Sequence, residues 1–447
     1  MATADDVEQK GLHTVYGAAK LSLPNKEWTP EDISLLTGLA LIIYSTVGST
    51  YYYWSLLPAW EADAELGWTR STTSLVTWGS TLMEVFGLLV AGPLADYLEP
   101  LQLILLEGSC SLIGLVLTAL FLTSPNAIVA DVLLVNFLKG ILWPAVGATV
   151  FKSIAPEKQD VMIFCAALAS RFAGGTGEVL VGFVLNLGFR WRAAGLAVAG
   201  VTLAMLVAGF AVLKKFLVQG IHESEDQAGA PPLWVATYGA KWHRLATDLR
   251  SWLVLVTMIG AGTVWSLAGY LSVLLKQQFD LSSGEAAMGA SSVMMGIFLG
   301  LLTAGLVAFR SGRDAGRSFQ LIQGVIGSFF TLLIAIFPNA GLPWTLSCLI
   351  LGGMCAGPLL YLPYTSYSAV MPKSQRAFCM GTLDCLSQVT QALTKMYFGH
   401  LRVVFPDSDW AGHVMFDVFA TGQLMAVATT GVLYRHLRGE DSEVSTF

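Results

Sequence analysis

Long apolar segments recur along almost the whole chain, and polar residues are concentrated in the stretches between them. The apolar segments cover residues 33–57, 72–95, 101–123, 129–154, 161–187 and 193–216, and then 251–275, 286–309, 318–337, 343–370, 377–403 and 413–436. A helix needs about 20 residues to cross the roughly 30 Å hydrocarbon core of a bilayer. The pattern therefore predicts an all-α membrane protein with twelve transmembrane helices.

A polar stretch divides the twelve segments into two sets of six. The predicted units are an N-terminal tail at 1–32, a six-helix bundle at 33–216, a linker at 217–250, a second six-helix bundle at 251–436 and a C-terminal tail at 437–447. We therefore expect the linker to connect two separate helical bundles.

Two short matches relate these halves. APEKQ at 155–159 is similar to MPKSQ at 371–375, and GPLAD at 92–96 is similar to GLVAF at 305–309. The two offsets, 216 and 213 residues, nearly agree. The chain is therefore predicted to consist of two six-helix pseudo-repeats, a plan that is common among secondary transporters.

The composition agrees with a membrane protein. Hydrophobic residues make up 54% of the 447 residues and charged residues 13%, whereas soluble domains carry about 25% charged residues. The net charge of −6 gives no sign of nucleic-acid binding. The six Cys and six His show no metal-ligand spacing, and we find no catalytic triad or phosphate loop. We therefore expect neither an enzyme nor a bound cofactor or metal.

Lys and Arg lie mainly in alternate connections, with acidic residues in the others. Basic residues follow the fourth, sixth, eighth, tenth and twelfth spans, as at 310–317, whereas acidic residues follow several odd-numbered spans, as at 61–65; Arg402 is one of a few exceptions. Basic loops tend to stay in the cytosol. We therefore expect both termini and the linker to be cytosolic. We also expect a monomer, and we favour the plasma membrane over an organellar membrane.

Seven charged residues lie inside the predicted spans, where a charge costs roughly 3 kcal/mol or more and usually marks a functional site. They are Glu84, Glu107, Lys139, Arg171, Glu178, Asp384 and Lys395. Counting residues from the span ends places Lys139 and Glu178 at a similar depth, which predicts an ion pair. Arg171 lies about 10 Å deeper than Glu178, at 1.5 Å per residue. Glu84 is its predicted counter-ion, and an arriving anion is the alternative.

Structural roles for the same charges also remain open. The pairs can serve only to fix the packing of the helices, and Glu107 can be structural. Lys395 can extend outward to the membrane interface.

The loops that follow the second and eighth spans carry related motifs. GPLADYLEP keeps Gly92, Leu94 and Asp96, and GLVAFRSGR keeps Gly305, Arg310, Gly312 and Arg313. Both are similar to the Gly-x-Leu-Ala-Asp-Arg-x-Gly-Arg loop of the major facilitator superfamily, although Phe309 stands where the second acid would be. The resemblance implies the two-bundle fold, transport by alternating access, and gating roles for Asp96, Arg310 and Arg313.

A narrower resemblance concerns the substrate. LGWTR at 66–70 is similar to the Phe-Gly-Trp-Ser-Arg segment of the monocarboxylate and oxalate–formate branch, and QALTKMYFG places Lys395 where that branch has a carboxylate-binding Lys. A weaker resemblance concerns the fifth span. Arg171 lies just before a glycine run, as a basic residue does in the sugar-phosphate branch. These similarities imply a small organic anion, monocarboxylate-like, moved with protons or by exchange.

Spans 1, 4, 7 and 10 line the central cavity in this superfamily, which adds aromatic residues of these spans to the buried cations as candidate solute ligands. The candidates are the cations Arg171, Lys139 and Lys395 and the aromatic residues Tyr44, Tyr51, Trp143, Trp265, Tyr361 and Tyr364. Glu84, Glu178 and Asp384 are candidates for proton coupling or for counter-ions. The expected partners are a small-molecule solute, the lipid bilayer and protons.

Two other functions remain open at this point. One is a carrier of neutral or cationic solutes, such as an amino acid, a nucleoside or a vitamin. The other is a transport-dead receptor or scaffold.

Overall fold

The computed structural model describes residues 28–154, 156–223, 242–243, 245–370, 373–405 and 410–444. Within these ranges the chain forms twelve long helices. They are α1 (Pro30–Ala62), α2 (Arg70–Tyr97), α3 (Pro100–Leu120), α4 (Pro125–Ser153), α5 (Pro156–Asn186), α6 (Trp191–Glu223), α7 (Leu249–Phe279), α8 (Ser283–Ser311), α9 (Arg313–Ile336), α10 (Leu342–Val370), α11 (Lys373–Val404) and α12 (Trp410–Val444). The predicted all-α fold is confirmed.

Eleven helices of the described chain are long and apolar enough to cross a membrane. The helix that does not meet this criterion is α11, which carries Asp384, Gln388, Gln391 and Lys395. The membrane surface is visible on α9, where apolar side chains at intervals of three to seven residues point outward. Ile322, Val325, Phe329 and Ile336 are each more than half exposed. Such a stripe suits contact with lipid rather than with water.

Polar caps extend some helices beyond their apolar segments. Helix α1 begins at Pro30 rather than at the predicted residue 33, because Thr29 and Asp32 cap each other. The Asp32 N–H donates to Thr29 Oγ1 at 3.1 Å, and the Thr29 N–H donates to an Asp32 carboxylate oxygen at 3.0 Å. This capping box satisfies two backbone donors at the start of the helix.

The same helix packing occurs in both halves of the chain. Helix α1 packs against α5 and α6, α2 against α4, and α3 against α4 and α6. In the second half α7 packs against α11 and α12, α8 against α10, and α9 against α10 and α12. The pairs α2–α11 and α5–α8 join the halves. The limits of the two bundles stay a prediction, since both tails and the linker fall partly outside the described residues.

Close glycine contacts show the repeat at the level of single residues. A Cβ on Gly87 of α2 would overlap the carbonyl oxygen of Phe137 in α4, and a Cβ on Gly300 of α8 would overlap that of Met354 in α10. Gly87 and Gly300 are 213 residues apart, the offset predicted from the GPLAD match. Absent side chains thus let the paired backbones approach closely in each half.

Glycines of α4 and α10 make the matching contacts from the other side, and their positions give the sequence offset between these two helices. A Cβ on Gly140 of α4 would overlap the carbonyl oxygen of Glu84, and a Cβ on Gly357 of α10 would come within 2.7 Å of the carbonyl oxygen of Ile297. Gly140 and Gly357 are 217 residues apart, one residue more than the predicted offset.

Polar contacts join the halves at the end of the bundle where α1 ends, which we call the Ala62 face. Arg402 Nη2 of α11 lies 3.3 Å from Glu61 Oε2 of α1. Lys276 Nζ of α7 donates to the carbonyl oxygen of Pro58 at 3.0 Å. Pairing with Glu61 explains the position of Arg402, which is an exception to the distribution of basic residues.

The α1–α2 connection is anchored at the same face. The Trp191 indole N–H donates to Asp63 Oδ2 at 2.7 Å and holds the pKa of this carboxyl below its ordinary value. The Asp63 carboxyl group therefore stays ionised, and its bond to Trp191 holds the connection against the start of α6.

We expect Gly87→Ala to lower the free energy of unfolding by about 1–3 kcal/mol, because the added methyl group overlaps the α4 backbone. Gly300→Ala should do the same in the second half. Gly200→Ala and Gly431→Ala are matched controls, since the space around both helical glycines is open. Thermal unfolding of the detergent-solubilised protein measures the effect. Equal melting temperatures for Gly87→Ala and Gly431→Ala would contradict the close packing.

Candidate functional site

Arg171 lies in the middle of α5 and is only 8% exposed. Its Nη1 donates to the Tyr51 hydroxyl of α1 at 3.2 Å, and its Nη2 donates to the Tyr361 hydroxyl of α10. Its Nε is buried without a hydrogen-bond partner. In the described part of the chain, no carboxylate lies within ion-pair distance of Arg171. The predicted Arg171–Glu84 pair is therefore wrong.

Aromatic rings take the place of a counter-ion around Arg171. The guanidinium carbon lies 4.3 Å from the centre of the Trp265 ring of α7 and 5.5 Å from that of Tyr361. Gly174 lets the Tyr51 ring approach α5, since a Cβ there would lie 3.1 Å from that ring. A desolvated cation–π contact contributes about 2 kcal/mol. It does not neutralise the charge of the guanidinium.

Lys395 of α11 is a second buried cation. It is 1% exposed, its Nζ donates to Thr81 Oγ1 of α2 at 2.8 Å, and the same atom lies 4.3 Å from the centre of the Trp54 ring of α1. No carboxylate of the described residues is within ion-pair distance of it. The alternative in which Lys395 extends to the interface is wrong, because the side chain points into the bundle.

The two cations share one pair of aromatic residues. Tyr51, which contacts Arg171, and Trp54, which contacts Lys395, meet edge to face with ring centres 4.9 Å apart. Arg171 and this pair belong to the first half, whereas Lys395 and Trp265 belong to the second. The site is thus built from both halves, and a relative movement of the halves would change it.

Lys139 of α4 pairs with Glu84 of α2, and their Nζ and Oε2 atoms are 3.0 Å apart. The predicted Lys139–Glu178 pair is therefore wrong. The physical reason is the glycine contact between α2 and α4, which brings Glu84 closer to Lys139 than α5 can bring Glu178. Both side chains are largely buried, with 9% and 14% of their surfaces exposed.

The repeat has no second copy of this pair. At the offsets fixed by the glycine contacts, Lys139 corresponds to Ala356 and Glu84 to Ile297. The two halves pack alike with and without the charges, so the helix packing itself does not require them. Glu84 makes its ion pair with Lys139, and among the described contacts it makes none with Arg171 or Lys395.

Three other predicted residues have no hydrogen bond to these two cations among the described contacts. The Tyr44 hydroxyl is 2.7 Å from Thr176 Oγ1, and Trp143 is half-buried against the apolar core. Asp384 accepts a long hydrogen bond of 3.4 Å from Gln388, one turn further along α11. None of the three is among the described contacts of Arg171 or Lys395.

The predicted gating residues are only partly described. Arg310 is exposed at the end of α8. The side chains of Asp96, Arg313 and Tyr364 lie outside the part of the structure that is described.

Thr81 is a site residue that sequence reasoning missed. It is 314 residues from Lys395, and many hydroxyl residues occur in the spans. The only signal is its position one turn before Glu84, in the middle of the second span.

Comparisons with known proteins place this geometry in context. The family model of the Major Facilitator Superfamily matches residues 37–394. No curated protein sequence matches the chain significantly.

Three solved structures illustrate the similarity in fold. A D-xylose–proton symporter has 12% sequence identity and a TM-score of 0.63, over 90% of this chain and 96% of that chain. A bacterial homologue of the human drug peptide transporters PepT1 and PepT2 has 15% identity and a TM-score of 0.64, over 92% and 99%. A bacterial homologue of the human lysosomal transporter Spinster, inward-facing and occupied, has 15% identity and a TM-score of 0.57, over 94% and 98%. At these identities the likeness concerns the fold alone.

We expect Lys139→Met to lower the free energy of unfolding by about 3–5 kcal/mol, because it leaves the buried Glu84 without its cation. Adding Glu84→Gln should recover most of this loss. A thermal-unfolding cycle of both single variants and the double variant measures the coupling. Lys215→Met is the control, since the Lys215–Glu31 pair is more than 60% exposed on both sides. Strictly additive effects of the two changes would contradict a direct pair.

Proposed function

Since the chain belongs to the major facilitator superfamily, we propose that it moves a small organic anion across the membrane by alternating access. It is a transporter rather than an enzyme. The observation that supports an anion is the pair of buried cations, Arg171 and Lys395, which lack a carboxylate partner among the described residues. An unpaired charge at low dielectric costs several kcal/mol. A carboxylate on the solute supplies one negative charge to this pair of cations.

The geometry of Arg171 favours a carboxylate in particular. Its Nε–H is an unused donor, and a guanidinium can bind both oxygens of a carboxylate at once. Lys395 has one hydrogen bond among its described contacts, to Thr81, and an ammonium group has three donors. The two cations therefore have donors to spare for a charged solute.

The rest of the solute is proposed to be small and apolar. The rings of Tyr51, Trp54, Trp265 and Tyr361 surround the two cations, and such rings suit a short hydrocarbon body. A monocarboxylate fits this combination best. A neutral or cationic solute, or a transport-dead scaffold, is less well supported, because each would leave both cations unpaired.

Other parts of the proposal follow from the sequence and from the family resemblance. Gating roles for Asp96, Arg310 and Arg313 are part of the proposal, as the family resemblance implies. Both termini are cytosolic, and the protein works as a monomer in the plasma membrane.

The test is uptake of labelled monocarboxylates by proteoliposomes. Arg171→Ala should reduce uptake about 10–100-fold, since a hydrogen bond to a charged group contributes about 1.5–3 kcal/mol. Arg171→Lys should retain part of the activity because it keeps the charge but loses the two-pronged geometry.

Arg190→Ala is the matched control, because Arg190 is exposed in the connection between α5 and α6. Lys395→Met examines the second cation in the same assay and should also reduce uptake. Normal uptake by Arg171→Ala would rule out Arg171 as a solute ligand.

A further inference from the structure

A proline interrupts the backbone hydrogen bonding of α1 one turn beyond Trp54. Pro58 lies inside the helix and has no N–H, so the Trp54 carbonyl lacks the donor that a helix normally supplies four residues later. The Ser272 hydroxyl of α7 takes the place of that donor and donates to the carbonyl oxygen at 2.9 Å. Ser272 is 2% exposed, so bulk water does not compete for this bond.

Helix α7 binds the backbone of α1 again at the next turn. Lys276 lies one turn after Ser272, and its Nζ donates to the Pro58 carbonyl oxygen at 3.0 Å. The same atom donates to Ser283 Oγ at the start of α8 at 2.9 Å. A helix of the second half therefore holds the interrupted part of a first-half helix by two backbone oxygens.

The same arrangement occurs at α10. Pro358 leaves the Met354 carbonyl without its helical donor, and Gln323 Nε2 of α9 donates to that oxygen at 2.8 Å. Gln320 Nε2, one turn earlier on α9, donates to the Pro358 carbonyl oxygen at 2.8 Å. In both helices, side chains of a neighbouring helix bind the carbonyl that the proline frees and the carbonyl of the proline itself.

Two further prolines lie inside membrane helices, Pro144 in α4 and Pro363 in α10. Among the described contacts, no side chain donates to the carbonyl oxygen four residues before either of them. The two breaks that do receive such a donor lie in α1 and α10, the helices whose tyrosines accept hydrogen bonds from Arg171. The replacement donors are thus found in the helices that build the proposed site.

Helix α7 also limits the position of Lys395. Gly269 lies one turn before Ser272, and a Cβ there would come within 3.2 Å of Lys395 Cε. The centre of the Trp54 ring lies 4.3 Å from Lys395 Nζ. Helix α7 therefore contacts both partners of this cation–π pair, Lys395 through the space at Gly269 and Trp54 through its carbonyl group.

We propose that Ser272 and Gln323 are positioning residues of the anion site, which supply the donors that prolines remove from α1 and α10. This inference rests on the proposed function. The carbonyl group and the ring of Trp54 belong to one residue. A backbone that Ser272 holds in place therefore also keeps the ring over Lys395.

Gln323 has the corresponding role for Tyr361 in α10. Tyr361 lies two turns beyond Met354, whose carbonyl Gln323 binds, and it accepts a hydrogen bond from Arg171. Neither Ser272 nor Gln323 touches the two cations among the described contacts, so each acts through an aromatic residue.

The affinity of the purified full chain for a monocarboxylate, measured by isothermal titration calorimetry, tests this role. Ser272→Ala should raise the Kd about threefold to tenfold, which is the range for the loss of one hydrogen bond. Ser272→Thr keeps the hydroxyl and should recover most of the affinity. Ser328→Ala is the matched control, since this buried hydroxyl of α9 has no hydrogen-bond partner. Equal Kd values for Ser272→Ala and the wild type would overturn the inference.

Two combined variants distinguish positioning from a general structural role. Pro58→Ala restores the N–H that the Trp54 carbonyl lacks, so adding Ser272→Ala to it should change the Kd by less than about twofold. Lys395→Met removes the cation that the Trp54 ring faces, so Ser272→Ala should have equally little effect in that background. A full additional loss of affinity in either background would overturn the inference.

A thermal-unfolding cycle of Ser272→Ala and Pro58→Ala needs no solute and separates this inference from the proposed function. Ser272→Ala should lower the melting temperature of the wild type more than that of Pro58→Ala. Additive losses would overturn the inference by itself. Failure of the wild type to bind any monocarboxylate would instead contradict the proposed function.

The break in α10 provides a second variant if Ser272→Ala does not fold. Gln323→Leu should raise the Kd for the monocarboxylate, and the increase should be smaller when Pro358→Ala restores the missing N–H. An unchanged Kd for Gln323→Leu, or the same increase with and without Pro358→Ala, would overturn the inference.

Discussion

A buried cation at low dielectric needs a compensating charge, and this constraint organises the interior of the protein. Lys139 meets it within the chain, through Glu84 on the neighbouring helix. Arg171 and Lys395 have only hydroxyl groups and aromatic rings among their described contacts. Those groups orient the cations without neutralising them. The proposed carboxylate solute would complete a site that the protein leaves electrically open.

The fold and the site differ in symmetry. Glycine contacts such as that of Gly87 in the first half and Gly300 in the second set the same helix packing in both bundles. The charges do not repeat, because Lys139 and Glu84 correspond to Ala356 and Ile297. The repeat therefore supplies two bundles that can move against each other. The chemistry is added by single residues that face the boundary between them.

Much of the fold could be predicted from the sequence, because apolar segment length and the two short matches report directly on membrane spans and repeats. The identity of the charged residues inside the spans was also evident. Their partners were not. Counting along a helix gives the depth of Lys139, but not the direction in which it points, so Glu178 and Glu84 could not be told apart. That direction depends on the α2–α4 glycine contact, which only the packed structure shows.

The central claim is that the site recognises a negative charge on the solute. Thermal stabilisation of the purified protein tests it most directly, with a monocarboxylate compared to the neutral amide of the same carbon skeleton. The carboxylate should raise the melting temperature of the wild type but not of Arg171→Ala, and the amide should raise neither. Equal stabilisation of the wild type by the acid and the amide would contradict the account.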